Sequence, residues 1–504
     1  MQAFETFLAD GLNDWLWKII PFLLIGAGVY FGVRTVVVQL RYIPDMFHAV
    51  SEKPAGGDHI SAFKAFSISA ASRVGTGNVA GVALAISIGG PGAVFWMWMI
   101  ALLGGATAFI ESTLAQLWKT RESEGSDAYR GGPAYYMTRG LGWRKLAVVF
   151  ALAISVTYGL VYNAIQTNSI VESVGTSLNA DSLEFKAGVG VILAVITAGI
   201  IFGGLQRIAS VTQIIVPFMA GAYIIVGVIV VVLNLGEVPR MISDIFTHAL
   251  GLREVAGATV GAAFMHGMRR GLFSNEAGEG SAPNAAATAT VSHPVKQGLV
   301  QTLGVFFDTW LVCSITAFIV LLGPQPIYGE EIAGASLTQT ALSDSVGAWG
   351  THFITFILFF LALSSIIGNY YLAQTNIQYL TGSTGWLTAF RVLVVVFVFG
   401  GAIGSLTLVW NLGDTFAGVM VMINLVAVIP LGGVAIKLLR NYAQQKRLGY
   451  DPVFHRDMLP EIENVEVWDG SDALTADAVE RVRVLRDATF HHVPAEDSAD
   501  EITR

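Results

Sequence analysis

The sequence predicts an all-α integral membrane protein with about 11 transmembrane helices. Three observations predict this class: 54% of the 504 residues are hydrophobic, only 13% are charged, and apolar runs of about 20 residues recur along the chain. A soluble protein of this length has too little interior to hide so much apolar surface, so the bilayer must supply the apolar environment. The 55 glycines agree with this prediction, because small residues let membrane helices approach closely.

The apolar runs place the expected spans in chain order. The residues before the first run include acids and no Lys or Arg, which is the reverse of a secretory signal. We therefore expect a retained first helix whose N-terminus lies outside. The expected spans lie near 15–38, 61–88, 91–118, 146–171, 187–203, 208–235, 255–288, 297–323, 351–378, 387–406 and 414–436.

Charge in the connections between spans indicates the orientation. Segment 119–145 carries six Lys or Arg residues, whereas segment 324–350, expected on the opposite side, carries none. The positive-inside rule therefore places 119–145 and the C-terminal tail in the cytoplasm. The tail, 448–504, holds 14 acidic and 5 basic residues, so the net charge of −8 belongs to the tail and not to the membrane region. No basic stripe suggests a nucleic-acid partner.

Two of the apolar runs contain clusters of glycine at their centres. Gly75, Gly77 and Gly81 lie in the second expected span, and Gly278 and Gly280 lie in the seventh. In a continuous helix each glycine costs about 1 kcal/mol relative to alanine. A helix that unwinds at mid-membrane uses such residues, since its free carbonyls and amides become ligands. We therefore expect two broken helices around a central site; kinks that serve only packing are the alternative.

The two expected breaks share the pattern R-x4-N-x-A-G, which begins at Arg73 and again at Arg270. The copies lie five helices apart, so the chain crosses them in opposite directions, as an inverted five-helix repeat requires. The predicted organisation is an N-terminal helix followed by a 5+5 inverted-repeat core. Its boundaries are 1–40 for the N-terminal transmembrane helix, 41–60 for a cytoplasmic surface segment, 61–235 and 252–440 for the two repeats, and 448–504 for the acidic cytoplasmic tail.

Broken helices suit a ligand that carries both charges. Their half-helix N-termini bear partial positive charge for a carboxylate, and their exposed carbonyls suit a cation or an ammonium group. A zwitterionic amino acid with a co-transported Na⁺ satisfies both ends. No HExxH, GxSxG or GxxxxGK[ST] string occurs, which argues against an enzyme. A passive channel is the less favoured alternative, because the pattern indicates one central site.

Five strings resemble those of a known family: VGTGNVAGVALAISIGGPGAVFWMWMIALLG (74–104), GGPAYYM (131–137), QTNSI (166–170), GLFSNEAGEGSAP (271–283) and QGLVQTLGVFFDT (297–309). They are similar to the alanine or glycine:cation symporter family, which has the fold of the amino acid/polyamine/cation transporters. The resemblance implies Na⁺-coupled symport of alanine, glycine, serine or a polar relative by alternating access in the cell inner (plasma) membrane. It implies no resident cofactor, and proton-coupled transport is the alternative.

The resemblance also implies a set of site residues. Substrate contacts are expected from Thr76, Gly77 and Asn78 in the first break, from Phe273, Ser274 and Asn275 in the second, and from Gln166 and Asn369. A sodium ion is expected between the carbonyls of Ala71 and Val74 and the hydroxyls of Ser364 and Ser365, because hard cations take oxygen ligands. The alternative for the serines is a bond to their own backbone, and for Gln166 it is interhelix adhesion.

Charged residues inside the expected spans need partners. Arg73, Arg270, Glu276 and Asp308 form a possible charge network, in which Asp308 either binds a cation or pairs with an arginine. Arg73 is expected to pair with Asp308 or Glu276, with recognition of an acidic substrate as the alternative. Asn369 lies in IGNYYLAQ (367–374), and the corresponding pattern of the family is roughly I-G-W-S-Y-Y-G-E. Asn369 therefore stands in place of a large apolar tryptophan, and its amide predicts a more polar pocket.

Overall fold

A computed structural model describes residues 5–53, 59–122, 128–253, 259–324, 328–329, 334–472, 474–476 and 478–482. The helices, in chain order, are α1 Asp14–Arg34, α2 Val38–Arg41, α3 Ile43–Val50, α4 Ala62–Arg73, α5 Val82–Gly89, α6 Gly92–Leu117, α7 Pro133–Leu141, α8 Arg144–Val156, α9 Tyr162–Leu178, α10 Leu183–Ile201, α11 Leu205–Leu233, α12 Val238–Ala249, α13 Val260–Asn275, α14 Ala282–Ala286, α15 Pro294–Phe306, α16 Ser314–Leu322, α17 Gly334–Val346, α18 Trp349–Leu380, α19 Thr384–Ile403 and α20 Leu406–Arg447. A short hairpin pairs β1 Thr120–Arg121 with β2 Tyr129–Arg130.

The prediction of an all-α integral membrane protein is confirmed. In the part of the chain that the structure describes, nine helical stretches are long and apolar enough to cross a bilayer. Their bounds are Phe7–Arg34, Gly92–Leu117, Arg144–Leu178, Leu183–Ile201, Arg207–Leu233, Pro294–Leu322, Trp349–Leu380, Thr384–Ile403 and Leu406–Arg447. They coincide with nine of the expected spans. The other two expected spans, the second and the seventh, are the interrupted ones, and the total of eleven and the inverted repeat stay predictions.

The first interruption lies between α4 and α5. Val74 leaves the helix with φ −82° and ψ 92°, and helical geometry resumes as a π-helical turn, Gly77–Gly81, that runs into α5. The residues around the break are buried. A side chain at Gly77 would place its Cβ 3.0 Å from the ring of Phe273, so glycine is needed there for the close approach of the second interrupted span.

The second interruption lies between α13 and α14. Helix α13 ends at Asn275, and the chain turns through Glu276, Gly278 and Gly280, which have φ of 57°, 94° and 80°. Left-handed backbone of this kind is costly for most side chains but open to glycine. The six-residue link therefore redirects the chain within the core and brings Glu276 and Glu279 to its centre, where both side chains are buried.

The chain crosses the two interruptions in opposite directions. Thr290, which follows α14, donates its main-chain N–H to the carbonyl of Ile60 at 2.9 Å, just before α4 begins. The first interrupted span therefore starts on the face where the second one finishes. We call this the inner face; it is made of Ile60, the 118–122 and 128–143 connection, the 287–293 link and the end of α20. By the charge argument above, it is the predicted cytoplasmic face.

We predict that Gly280→Ala destabilises the folded protein by about 1–3 kcal/mol, because it forces a side chain into left-handed backbone. Its Cβ would also lie 2.8 Å from Cγ of Asn424. Gly433→Ala is the matched control, since Gly433 lies within α20 with no atom within 4 Å of an added Cβ. The melting temperature measured in detergent should fall for Gly280→Ala and stay unchanged or rise for Gly433→Ala. Equal melting temperatures of the two variants would contradict the prediction.

Candidate substrate and cation site

Asn78 holds the first break in shape with its side chain. Its Oδ1 accepts the main-chain N–H of Gly75 at 2.9 Å, a donor that would otherwise pair along the helix. The next amide, that of Thr76, donates to Oε1 of Gln166 at 3.0 Å. Two consecutive amides of the break are thus capped by side-chain oxygens from two different helices. This replaces helical hydrogen bonds that the break removes.

Asp308 connects the two breaks. Its Oδ1 lies 2.6 Å from Nδ2 of Asn78, and its Oδ2 accepts the hydroxyl of Ser274 at 2.7 Å. Thr309 donates to the same carboxylate at 3.0 Å, and Asn78 also reaches Ser274 at 3.0 Å. All four side chains are fully buried. One carboxylate therefore fixes the relative position of both interruptions through charge-assisted hydrogen bonds.

The carbonyls at the end of α4 lose their helical partners. In a continuous helix the carbonyl of Ala71 would accept from Gly75 and that of Val74 from Asn78. Gly75 donates to a side chain instead, and the amide of Asn78 donates to Gly75 at 3.2 Å. The hydroxyl of Ser365 donates to the carbonyl of Val74 at 3.3 Å, and its role at a sodium site stays a prediction.

Ser364 lies beside Ser365 on α18, and both hydroxyls donate to the carbonyl of Leu361, at 2.7 and 3.1 Å. A hydroxyl that donates to its own helix keeps its oxygen lone pairs for another partner. Ala71 packs against Gly368, whose added Cβ would lie 3.2 Å from the Ala71 side chain. The four residues expected at a sodium site are therefore on two helices that touch at the first break.

Aromatic rings and an ion pair lie on the side of the breaks away from the inner face. Phe273 packs against Tyr162 and Trp410, with ring centroids 4.8 and 5.0 Å apart. The guanidinium of Arg270 lies 4.5 Å from the Trp410 ring and forms a buried ion pair with Asp414. Asp414 is a partner that the sequence analysis did not name, because it falls at the boundary of the last expected span.

Polar side chains fill the side toward the inner face. The carboxylate of Glu276 accepts the hydroxyls of Ser72 and Ser281, both at 2.6 Å. Oδ1 of Asn369 lies 2.8 Å from the same Ser72 hydroxyl, and Nδ2 of Asn369 has no hydrogen-bond partner. Asn275 caps the amide of Ala277 through its Oδ1 at 3.0 Å. Asn369 therefore presents an unused amide donor next to the second break.

The expected charge network is only partly contiguous in space. Arg73 is buried and donates weakly to the carbonyl of Gln301 at 3.4 Å; its Nε and Nη2 have no hydrogen-bond partner. It lies within electrostatic range of Glu276, Asp308 and Glu111 without forming an ion pair with them. Arg270 contacts Asp414 on the other side of the break. Which of these charges acts in function stays a prediction.

Two further carboxylates belong to the same region. Glu279 accepts the Tyr158 hydroxyl at 2.6 Å and the Tyr162 hydroxyl at 3.2 Å, and Glu111 accepts the amide of Asn424 at 2.8 Å. The sequence analysis did not assign these partners. The tyrosines and the asparagine are polar residues on apolar spans, and this polarity is the sequence signal that could have identified them as partners.

Comparison with known proteins shows the family of the chain. The profile of the family described as "Sodium:alanine symporter family" matches residues 1–456. The amino-acid carrier protein AlsT of Bacillus subtilis is 48% identical over 93% of this chain and 99% of its own length. The probable sodium/glutamine symporter GlnT of the same organism is 42% identical over 94% and 98%, and the sodium/alanine symporter AgcS of Methanococcus maripaludis is 37% identical over 85% and 95%.

The chain belongs to the sodium:alanine symporter family. It is a cation-coupled amino-acid transporter of the plasma membrane and not an enzyme. The structure brings together at the two breaks five residues expected to contact the substrate, and their role stays a prediction: Thr76, Gly77, Asn78, Phe273 and Ser274. Gln166 joins this group. Its neighbour Asn168 does not: it donates to the carbonyls of Gly401 and Gly404 and holds helices together.

We predict that Asn78→Ala abolishes amino-acid binding without abolishing insertion into the membrane. The change leaves the amide of Gly75 and Oδ1 of Asp308 without the partner that Asn78 supplies, at about 1–3 kcal/mol for each buried group. Asn168→Ala is the matched control, because it removes a buried membrane asparagine that does not contact either break. Binding to purified protein should be lost in the first variant and kept in the second; unchanged affinity in Asn78→Ala would place the site elsewhere.

Proposed function

We propose that the chain is a Na⁺-coupled symporter that takes up small neutral amino acids, with polar side chains preferred, by alternating access. The observation that carries the proposal is the pair of interrupted helices joined through Asn78, Asp308 and Ser274. Interrupted helices at a repeat interface are the usual ligand-binding elements of such carriers. The organisation into repeats 61–235 and 252–440 is part of the proposal.

The amides of the first break support carboxylate binding. Those of Gly75 and Thr76 each donate to a side-chain amide oxygen, one from Asn78 and one from Gln166. Two such oxygens on consecutive N–H groups occupy the positions that a carboxylate takes at a helix N-terminus. We infer that the substrate carboxylate displaces Oε1 of Gln166 from the Thr76 amide, while Asn78 stays as the cap of Gly75.

The end of α4 supports sodium binding. The carbonyls of Ala71 and Val74 lack their helical donors, and the hydroxyl oxygens of Ser364 and Ser365 lie on the helix that packs there. Two carbonyls and two hydroxyls form an all-oxygen set of the kind a hard cation prefers. A sodium ion at this position would stabilise the unwound geometry of Val74 and Gly75, so ion binding would favour the shape that binds substrate.

The ion is tested by uptake into proteoliposomes. We expect uptake of labelled alanine, serine or glutamine to rise at least tenfold when an inward Na⁺ gradient replaces an isosmotic choline gradient. The reason is that the binding of one ligand typically favours the binding of a coupled ligand by about 1–3 kcal/mol. The pH is held equal on both sides. Equal uptake with choline would remove Na⁺ as the coupling ion, and stimulation by an inward proton gradient would then favour the proton-coupled alternative.

The side-chain preference is tested at Asn369. Oδ1 of Asn369 accepts the hydroxyl of Ser72, which also contacts Glu276, and Nδ2 of Asn369 is left as an unpaired donor. A site that offers a donor rejects ligands without the matching acceptor. A relative at 42% identity is named as a probable sodium/glutamine symporter, which supports a polar substrate. We expect serine or glutamine to compete at least as well as alanine in the wild type.

Asn369→Trp should shift the preference toward alanine and glycine by about tenfold or more, because a large apolar wall replaces the amide. Asn369→Ala is the control, since it removes the amide without filling the space and should weaken polar substrates alone. Competition against labelled substrate measures both. If alanine outcompetes every polar amino acid in the wild type, the pocket assignment fails and the transporter assignment stands.

A further inference from the structure

An acidic segment of the C-terminal tail is folded onto the inner face. Residues 451–472, here called the tail strap, run across this face and include buried Phe454, Val467 and Trp468. From the sequence, this acidic tail is placed in the cytoplasm and is assigned no contact with the membrane region. Apolar residues at these positions are instead held by the membrane region, so the strap is a docked element.

The strap begins on the link that follows the second break. Phe454 donates its main-chain N–H to the carbonyl of Ser292 at 2.8 Å, and the Ser292 hydroxyl donates to the carbonyl of Pro452 at 2.9 Å. The Phe454 ring packs on His293, with centroids 5.5 Å apart. Asp451 pairs with Lys296, a buried lysine at the start of α15, at 3.0 Å. This end of the strap is therefore attached to the second interrupted span and the helix after it.

The strap continues to the end of α6. The indole N–H of Trp468 donates to the carbonyl of Gln116 at 3.0 Å, and the indole N–H of Trp118 donates to the carbonyl of Glu463 at 3.1 Å. The ammonium of Lys119, itself buried, lies 4.5 Å from the Trp468 ring. Two reciprocal indole bonds and a cation–π contact are well-packed anchors of the kind that dominate docking energy.

A third attachment uses Glu466. Its carboxylate accepts the Thr120 hydroxyl at 2.6 Å and forms an ion pair with Arg139 on α7. Asn464 donates to the main-chain carbonyl of Arg139 at 3.0 Å. The side chain of Glu463 is exposed, and only its main chain contacts the membrane region in the bond described above. Two glutamates three residues apart thus differ in whether their carboxylate is engaged.

The strap is attached to elements that move apart when a route opens between the breaks and the inner face. The strap connects the 287–293 link, which belongs to the second interrupted span, to the end of α6 and to α7. It is also fixed to α20, where Gln445 and Val453 exchange two hydrogen bonds of 2.7 and 3.1 Å. Opening a route from the breaks to the inner face moves the interrupted span relative to its neighbours, and a segment bonded to both sides resists that movement.

We propose that the tail strap is a latch that holds the inner face closed and undocks when the transporter opens to that side. Weakening the latch shifts the equilibrium toward the inward-open state, so its affinity for the inner face sets how often the carrier opens inward. The proposal rests on the alternating access proposed above, and it does not depend on which amino acid or ion is carried.

Cys313 provides a reporter within the protein, as it is the single cysteine of the chain. It is buried, and its sulfur lies 3.2 Å from Nδ2 of Asn78 and 3.1 Å from the Ser274 hydroxyl, at the meeting point of the breaks. A membrane-impermeant thiol reagent reaches it only when a water path opens. Labelling the full chain in right-side-out and inside-out vesicles therefore measures opening on each side, with no need for transport.

The variants are Trp468→Ala, Glu466→Ala and, as matched control, Glu463→Ala. We expect Trp468→Ala to accelerate labelling of Cys313 from the inner face about tenfold or more, and Glu466→Ala about threefold to tenfold. Glu463→Ala, which removes the same charge from the same segment, should leave the rate unchanged. Labelling from the opposite face should not rise in any of them.

Two sets of results would overturn the latch. One is an unchanged labelling rate, or no labelling, in both Trp468→Ala and Glu466→Ala; the other is acceleration that is equal in Glu463→Ala or equal from both faces, which would indicate general loosening. If Trp468→Ala does not fold, Glu466→Ala decides alone. Because labelling needs no substrate or gradient, failure of the latch is distinguishable from failure of Na⁺-coupled uptake in proteoliposomes.

Discussion

The structure depends on one constraint: inside a bilayer every main-chain N–H and C=O needs a partner within the protein. An interrupted helix breaks this rule unless side chains replace the lost bonds. Here Asn78 and Gln166 cap two amides of the first break, and Ser365 reaches a freed carbonyl. The side chains that stabilise the break also define a candidate site. Main-chain groups that are bonded to side chains and not to their own helix can exchange that partner for a ligand.

Local helix geometry brings these residues to the centre. Among the described residues, three continuous spans contain π-helical turns, at Phe7–Asn13, Thr157–Val161 and Phe307–Cys313, and a fourth such turn follows the first break. A π-turn adds a residue to one turn of helix and rotates the following side chains, and such turns occur often at functional sites. The turn at 307–313 carries Asp308, and the turn at 157–161 carries Tyr158. Both contact the interrupted spans.

Much of the fold and part of the site followed from sequence. Apolar runs of bilayer length marked the continuous helices, and glycine clusters marked the two interruptions, because both signals are local. The role of Asn78 and Ser274 in binding stays a prediction, but both were expected at the breaks because of the strings that resemble the symporter family. The partners of Arg270 and Glu279 were not expected, since Asp414 and Tyr158 lie far away along the chain and pairing is decided by packing. The docked tail was missed because its overall acidity outweighed the few apolar residues, Phe454 and Trp468, that anchor it.

Charge balance in the core links the structure to cation coupling. Among the described residues, four buried carboxylates lie at the second break or toward the inner face from it: Glu111, Glu276, Glu279 and Asp308. Arg73 is the buried cation within their range, since Arg270 is already paired with Asp414. Uncompensated buried charge costs several kcal/mol for each group, so neutralising these carboxylates stabilises the region. Asp308 accepts hydrogen bonds from both Asn78 and Ser274, so a change in its charge alters the bonds that join the two breaks. The charge of Asp308 and the shape of both breaks are therefore linked through the same hydrogen bonds, and a link of this kind is what a cation-coupled carrier requires.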